Sequence, residues 1–433
     1  MTARDTGPTG GRTWPAAAVA GPEQRGLGPG GAAAHAGAQR GAIAAVQVLG
    51  LAVWFSMSAV VPGLRNDWGL TAGGAVWLTA SVQLGFVAGA VASTALNLAD
   101  RVPPQRLLAA SAAAAAACTV ALALVADGPA VAVPLRFTTG MFLAGVYPTG
   151  MKLMASWSGS AGRGRTMGVL IAALTLGSTL PHLIAGLGSL PWRGVLLAAA
   201  AAGLTGSGIA LLLVRPGPHA ASSAPVRNPR YALAMFTERG PRLANLGYFG
   251  HMWELYALWT WLPSFLSAAP AAGGLPGAVE ITVFLAMGLG GAAGCLLGGW
   301  GADRFGRSPA ALTALLLSGV CCLLSPLLFH APAPLLFAFC ALWGAAVIAD
   351  SGVFSTSLSE VADHRYIGTA LTGQTAIGFA LTVVSIQLTP LLAEAVGWEY
   401  AFLLLAPGPL AGALAMRAFG KGAPSARAPQ DAS

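Results

Sequence analysis

Gly298-Gly-Trp-Gly-Ala-Asp303-Arg304-Phe-Gly306-Arg307 stands between two long apolar runs, at about 276–300 and 310–330. Each run has the roughly 20 apolar residues that a helix needs to cross a bilayer. The charges close one run, and the next opens directly after them. The stretch therefore reads as a tight turn joining two spanning helices. A near copy lies in the first half of the chain: Leu96-Asn-Leu-Ala-Asp100-Arg101-Val-Pro103-Pro104-Gln-Arg106.

Reading outward from these turns gives twelve apolar runs. The first six fall at about 42–64, 74–97, 107–126, 129–156, 166–187 and 194–214; the rest at about 243–267, 276–300, 310–330, 332–355, 368–388 and 401–419. Only 9% of the 433 residues are charged, against about 25% in a soluble domain. A chain so poor in charge cannot coat a water-facing surface, whereas a lipid-facing surface needs no such coat. The net charge of +8 does not signal nucleic acid, because the basic residues sit in short loops rather than on one soluble face. With both termini in the cytoplasm, Arg163, Arg165, the central group Arg215 to Arg242, Arg304, Arg307 and Arg365 all fall inside, and only Arg65 and Arg193 fall outside. That bias favours an even helix number and a plasma-membrane orientation with both ends cytoplasmic.

The expected division is a disordered tail at 1–40, a six-helix bundle at 41–214, a cytoplasmic loop at 215–241, a second bundle at 242–419 and a tail at 420–433. Three paired features recur at an offset of about 200 residues: Asp100-Arg101 with Asp303-Arg304, Pro62 with Pro263, and Arg165-x-x-Gly168 with Arg365-x-x-Gly368. Such repetition predicts two homologous halves. The fold class expected is an all-α polytopic membrane protein with twelve transmembrane helices in two six-helix pseudo-symmetric halves.

The loop Gly299-x-x-x-Asp303-Arg304-x-Gly306-Arg307 resembles the signature loop of the major facilitator superfamily. Asp100-Arg101 keeps the same pair, with Leu and Pro where that family has Gly. Arg136-Phe-Thr-Thr-Gly140 in the fourth run is similar to the family's pattern there. The resemblance spans about 42–419. It implies alternating access by rocking of the two halves, with a central cavity lined by the first, fourth, seventh and tenth spans. It also implies that Asp303 faces the start of the fifth span and Asp100 the start of the eleventh. An anion at a helix N-terminus is favoured by the helix dipole, so such contacts can latch one end shut.

Charges inside spans are expensive and mark functional candidates. Glu254 and His251 are three apart on the seventh run and share one helix face. Glu254 is a candidate for proton coupling with His251 tuning it; the alternative is a structural hydrogen bond between packed helices. Arg136 offers a planar fork and is a substrate anchor, a partner for a carboxylate, or a tie to backbone carbonyls. His182 follows Pro181 in the fifth run, where Gly168 and Gly177 resemble the start of an antiporter motif that Pro181-His182 then departs from. Asp350 and Lys152 can form an inner gate, or Lys152 can snorkel to the headgroups. Trp54, Trp253, Tyr256, Trp259, Trp261, Trp343, Gln47, Gln83, Tyr147 and Gln374 are further cavity candidates. Gly290, Gly294 and Gly298 predict a close packing face.

The five cysteines lie in apolar runs without metal-ligand spacing, so no metal or cofactor is expected. Motifs for zinc hydrolysis, phosphate-binding loops and serine nucleophiles are missing from the sequence, so no enzyme is expected. The function expected is a monomeric secondary transporter in the lipid bilayer, moving a small molecule or ion and coupled to protons. Small-anion transport and efflux of amphiphilic organic compounds remain open within that class. A non-transporting membrane sensor with the same fold is the alternative outside it.

Overall fold

The computed structural model describes residues 29–96, 98, 102–158, 163–187, 190–219, 235–362 and 367–422. Among them every regular element is helical. Eleven helices are long and apolar enough to cross a membrane. The twelfth is Arg239–Ala268, 30 residues long and buried along most of its length from Pro241 to Leu266. His251, Glu254 and its tryptophans lower its hydropathy, which a helix screened from lipid by its neighbours tolerates.

In chain order the spans are Pro29–Leu51 with Ser56–Trp68, Ala72–Leu96, Pro104–Val125, Pro129–Leu143 with Tyr147–Ser156, Arg163–Leu187, Trp192–Leu212, Arg239–Ala268, Val279–Phe305, Arg307–Phe329, Ala333–Ile348 with Ser351–Val361, Ile367–Val396 and Trp398–Gly422. The first helix begins at Pro29, ahead of the tail boundary expected at residue 40. The reason is packing: Gln39 donates to the Leu213 carbonyl (3.1 Å) and accepts from the Arg215 amide (2.9 Å), which fixes that turn against the end of the sixth span.

The two halves repeat one packing scheme. The second span packs on the fourth as the eighth does on the tenth. The third packs on the sixth as the ninth does on the twelfth, and the first on the sixth as the seventh on the twelfth. The halves meet where the fifth span lies on the eighth and the second on the eleventh. Small residues allow these approaches. A Cβ on Gly290 would lie 2.9 Å from the Ala341 carbonyl, and Cβ atoms on Gly294 and Gly298 would collide with those of Ala345 and Ala349. The expected glycine face is thus the eighth span's seat on the tenth. Leu211, Leu212, Leu297, Leu327 and Leu414 stand exposed on the sixth, eighth, ninth and twelfth spans. Around a membrane protein that belt meets acyl chains.

Four of the described spans are interrupted, the twelfth by a 3-10 turn at Phe402–Leu405 and three others by a loss of helix. The first loses its helix over 52–55, the fourth over 144–146 and the tenth over 349–350. The break in the fourth precedes Pro148, which has no N–H to give to the preceding turn. The eighth span contains a π-helical stretch, Phe284–Gly290, a distortion often found at functional sites.

Candidate functional site

The break in the first span frees backbone carbonyls in a region without water, so something must satisfy them. Arg136 does. Its guanidinium reaches from the fourth span and donates to the Val53 carbonyl (2.9 Å) and the Trp54 carbonyl (2.5 Å). Ser56 Oγ also donates to Val53 (2.9 Å). Of the three roles open for Arg136, the geometry is that of the tie to backbone carbonyls. Its Nε keeps no partner.

The unwound segment carries Trp54 and Phe55 into the junction of the halves. Trp54 packs on Phe86 of the second span (5.1 Å between ring centres), Tyr256 of the seventh (5.9 Å) and Phe379 of the eleventh (5.5 Å). Phe55 packs on Tyr256 (5.7 Å) and edge-on to Trp259 (5.2 Å). Beside this cluster Phe55, Ser178, Thr179, His182, Trp259 and Met287 surround a narrow gap with no room for a water molecule. Met287 belongs to the π-helical stretch. Ligand pockets usually measure about 300–1,000 Å³, so the halves are fully closed down on this gap.

Several polar atoms in the same spans are buried without a hydrogen-bond partner: Trp54 Nε1, Trp259 Nε1, His182 Nδ1, and both amide atoms of Gln83. Native interiors leave few such atoms, and each asks for a reason. Aromatic faces with unspent donors among them suit a planar solute that carries acceptors. Phe55, Phe86 and Phe379 were not singled out in the sequence, because a phenylalanine in an apolar run gives no signal of which face it occupies.

Glu254 is elsewhere. It is 1% exposed, and its Oε1 accepts from Ser318 Oγ (2.5 Å), Trp343 Nε1 (2.6 Å) and Cys322 Sγ (3.3 Å). These donors come from the ninth and tenth spans, so Glu254 ties together the interior of one half rather than facing the junction. His251 does not bond it. His251 Nδ1 faces Asp350 Oδ1 at 2.9 Å, and its Nε2 lies 2.9 Å from Ser351 Oγ. Asp350 sits at the break of the tenth span and pairs there with His251, and the Lys152 side chain is exposed. Gln374 donates to Asn245 Oδ1 (2.9 Å). Trp253 and Trp261 donate to the Leu404 and Ile386 carbonyls and serve as packing anchors.

At one end of the bundle, Asp303 accepts from the Gly164 and Arg165 amides, each at 3.0 Å, at the start of the fifth span. Gly299 fits against the Gly164 carbonyl. Gly306 has φ 92°, a left-handed conformation that disfavours any side chain. Arg307 pairs with Glu360 at the end of the tenth span, and Arg304 is exposed. Asp100 and Arg101 lie outside the described residues.

The architecture matches a solved structure, that of the MFS proton:xylose symporter XylE bound to 6-bromo-6-deoxy-D-glucose. The TM-score is 0.67 at 15% identity, over 88% of this chain and 96% of that one. Among curated proteins, the gallate transporter of Pseudomonas putida is 25% identical over 299 residues, 61% of this chain. The match spans 65% of that relative's length. The family model of the Major Facilitator Superfamily matches residues 43–383. With that match over most of its length, twelve helices in two like halves and the Asp303 turn in place, the chain belongs to the Major Facilitator Superfamily.

Proposed function

We propose that this protein is a secondary transporter for a small planar organic acid, driven by protons and working in the cytoplasmic membrane with both termini inside. The observation that carries the reading is the aromatic cluster at the junction of the halves with its unpartnered N–H groups. A benzene ring bearing a carboxylate fits both features: its face stacks on Trp54, Phe55 or Tyr256, and its oxygens accept from Trp259, Trp54 or His182. Gallate, the solute named for the curated relative, has that chemistry. The solute would bind between the halves and be released when they part at the opposite end. The alternative, efflux of amphiphilic organic compounds, draws on the same aromatic residues and differs in direction.

Proteoliposomes with an imposed pH gradient and labelled gallate test the reading. Coupling to one proton predicts about tenfold accumulation per pH unit, since one unit is about 1.4 kcal/mol. Accumulation against an acid exterior identifies uptake, and extrusion under the same gradient identifies exchange. Gallate that equilibrates only as fast as through empty liposomes, in both directions, removes the aromatic-acid reading.

A further inference from the structure

We propose that His251 and Asp350, together with Ser351, form the proton-binding site, and that Glu254 does not. This rests on the proton-driven reading above and assigns its coupling group. The two side chains are each 2% exposed, and they join the seventh span to the one break in the tenth.

The geometry suits one ring proton and leaves room for a second: His251 Nδ1 lies 2.9 Å from Asp350 Oδ1, an ionic contact in which that oxygen accepts no hydrogen bond. With the proton on Nδ1 facing the Asp350 carboxylate, Nε2 accepts from the Ser351 hydroxyl. The pair then carries one negative charge in a low-dielectric interior, an expensive state. A proton arriving from water adds to Nε2. Ser351 turns its hydroxyl to accept the new N–H, and the pair becomes an imidazolium and a carboxylate with no net charge. No other bond is made or broken. Titratable groups near the pair include Tyr248, whose ring centre is 6.3 Å from that of His251, Glu254 beside His251, and Cys295 of the eighth span beside Asp350. A cleft with room for about 20 Å³ runs from Asp303 to Ile348 and Ala349, the residues that lead up to Asp350.

The position gives the proton mechanical effect. Protonation turns a neutral ring beside a carboxylate into an ion pair, and attraction between full charges is strong in a low-dielectric interior, so the protonated pair holds the tenth span to the seventh more tightly. The Ala349 carbonyl abuts Gly298 of the eighth span, and Gly352 faces Met167 and Ile171 of the fifth. Motion at the break therefore reaches the fifth and eighth spans, where the halves meet. Glu254 has no such position: its three donors lie within one half.

Two measurements test the assignment. In proteoliposomes, His251→Gln and Asp350→Asn should lose the roughly tenfold gallate accumulation per pH unit while keeping gallate counterflow, and Glu254→Gln should keep both. Asp350→Asn accumulating gallate as the wild type does would overturn the proposal. Independently of any solute, hydrogen exchange of amides 346–353 in detergent, corrected for the intrinsic pH dependence, should slow on acidification in the wild type and not in either variant. Equal pH profiles in wild type and Asp350→Asn would overturn it too. Wild-type protein that moves no gallate would sink only the aromatic-acid reading, and the exchange measurement then decides the proton site by itself.

Discussion

A single guanidinium holds the geometry on which the candidate solute site depends. Arg136 satisfies two carbonyls of the unwound first span, and each such group left bare in the interior costs about 1–3 kcal/mol. Arg136→Ala should therefore lower thermal stability in detergent by an amount equivalent to a few kcal/mol. Arg136→Lys, a point charge without the planar fork, should recover only part of that loss; full recovery would show that charge alone suffices. Trp259→Phe asks a different question. It keeps the ring and removes the indole N–H, one hydrogen bond worth about 0.5–1.5 kcal/mol. Gallate affinity should fall by up to about tenfold with folding unchanged, and unchanged affinity would take that N–H out of the site. Glu254 is informative by contrast. All three of its donors converge on one oxygen, so Glu254→Gln, which keeps a carbonyl oxygen, should be tolerated, whereas Glu254→Leu should unfold or destabilise the half it ties. A buried carboxylate in a span is visible in the sequence. Its partners Ser318, Cys322 and Trp343 are not, because they come from spans remote in the chain.

At the scale of the helices, the sequence reads length and polarity well and continuity badly. Apolar runs, basic loops and the Asp303 turn are local signals, and the helices follow them closely. The breaks at 52–55, 144–146 and 349–350 are not local signals, except where Pro148 forces one. The first span unwinds where Arg136 donates to the freed carbonyls, and the break in the tenth places the Asp350 and Ser351 side chains against His251. The glycine face of the eighth span was legible from its four-residue spacing, and it carries a test. A side chain at Gly294 would meet the Ala345 carbonyl of the tenth span, backbone that cannot swing aside. Gly294→Val should thus force the eighth and tenth spans apart and cost about 1–3 kcal/mol or more, read as a lower melting temperature. Gly301→Ala, in open space on the same helix, is the control and should leave the melting temperature unchanged within error. A like effect from both would mean that helix propensity, not close approach, is being measured.

Across the whole molecule, the question is what holds one end closed while the solute site is sealed. Two contacts at the Asp303 end cross between elements. Asp303 caps the fifth span from the eighth, and Arg307 pairs with Glu360. Of these two, the first joins the halves and can act as a latch between them, whereas the second lies within one half. The anion at the helix N-terminus is worth about 0.3–1 kcal/mol from the dipole, and its charged hydrogen bonds to the Gly164 and Arg165 amides add to that. Asp303→Asn keeps the shape and an acceptor oxygen but removes the charge. It should shift the equilibrium toward the form open at this end by about 1 kcal/mol, roughly fivefold in population. Single-molecule energy transfer between fluorophores on the two halves at that end would measure it. Glu360→Gln breaks a pair lying within one half, so it should leave the same equilibrium where it was. An Asp303→Asn protein with the wild-type distribution would mean that the carboxylate merely caps a helix, and that closure is set by the packing of the fifth span on the eighth through Gly168 and Gly299.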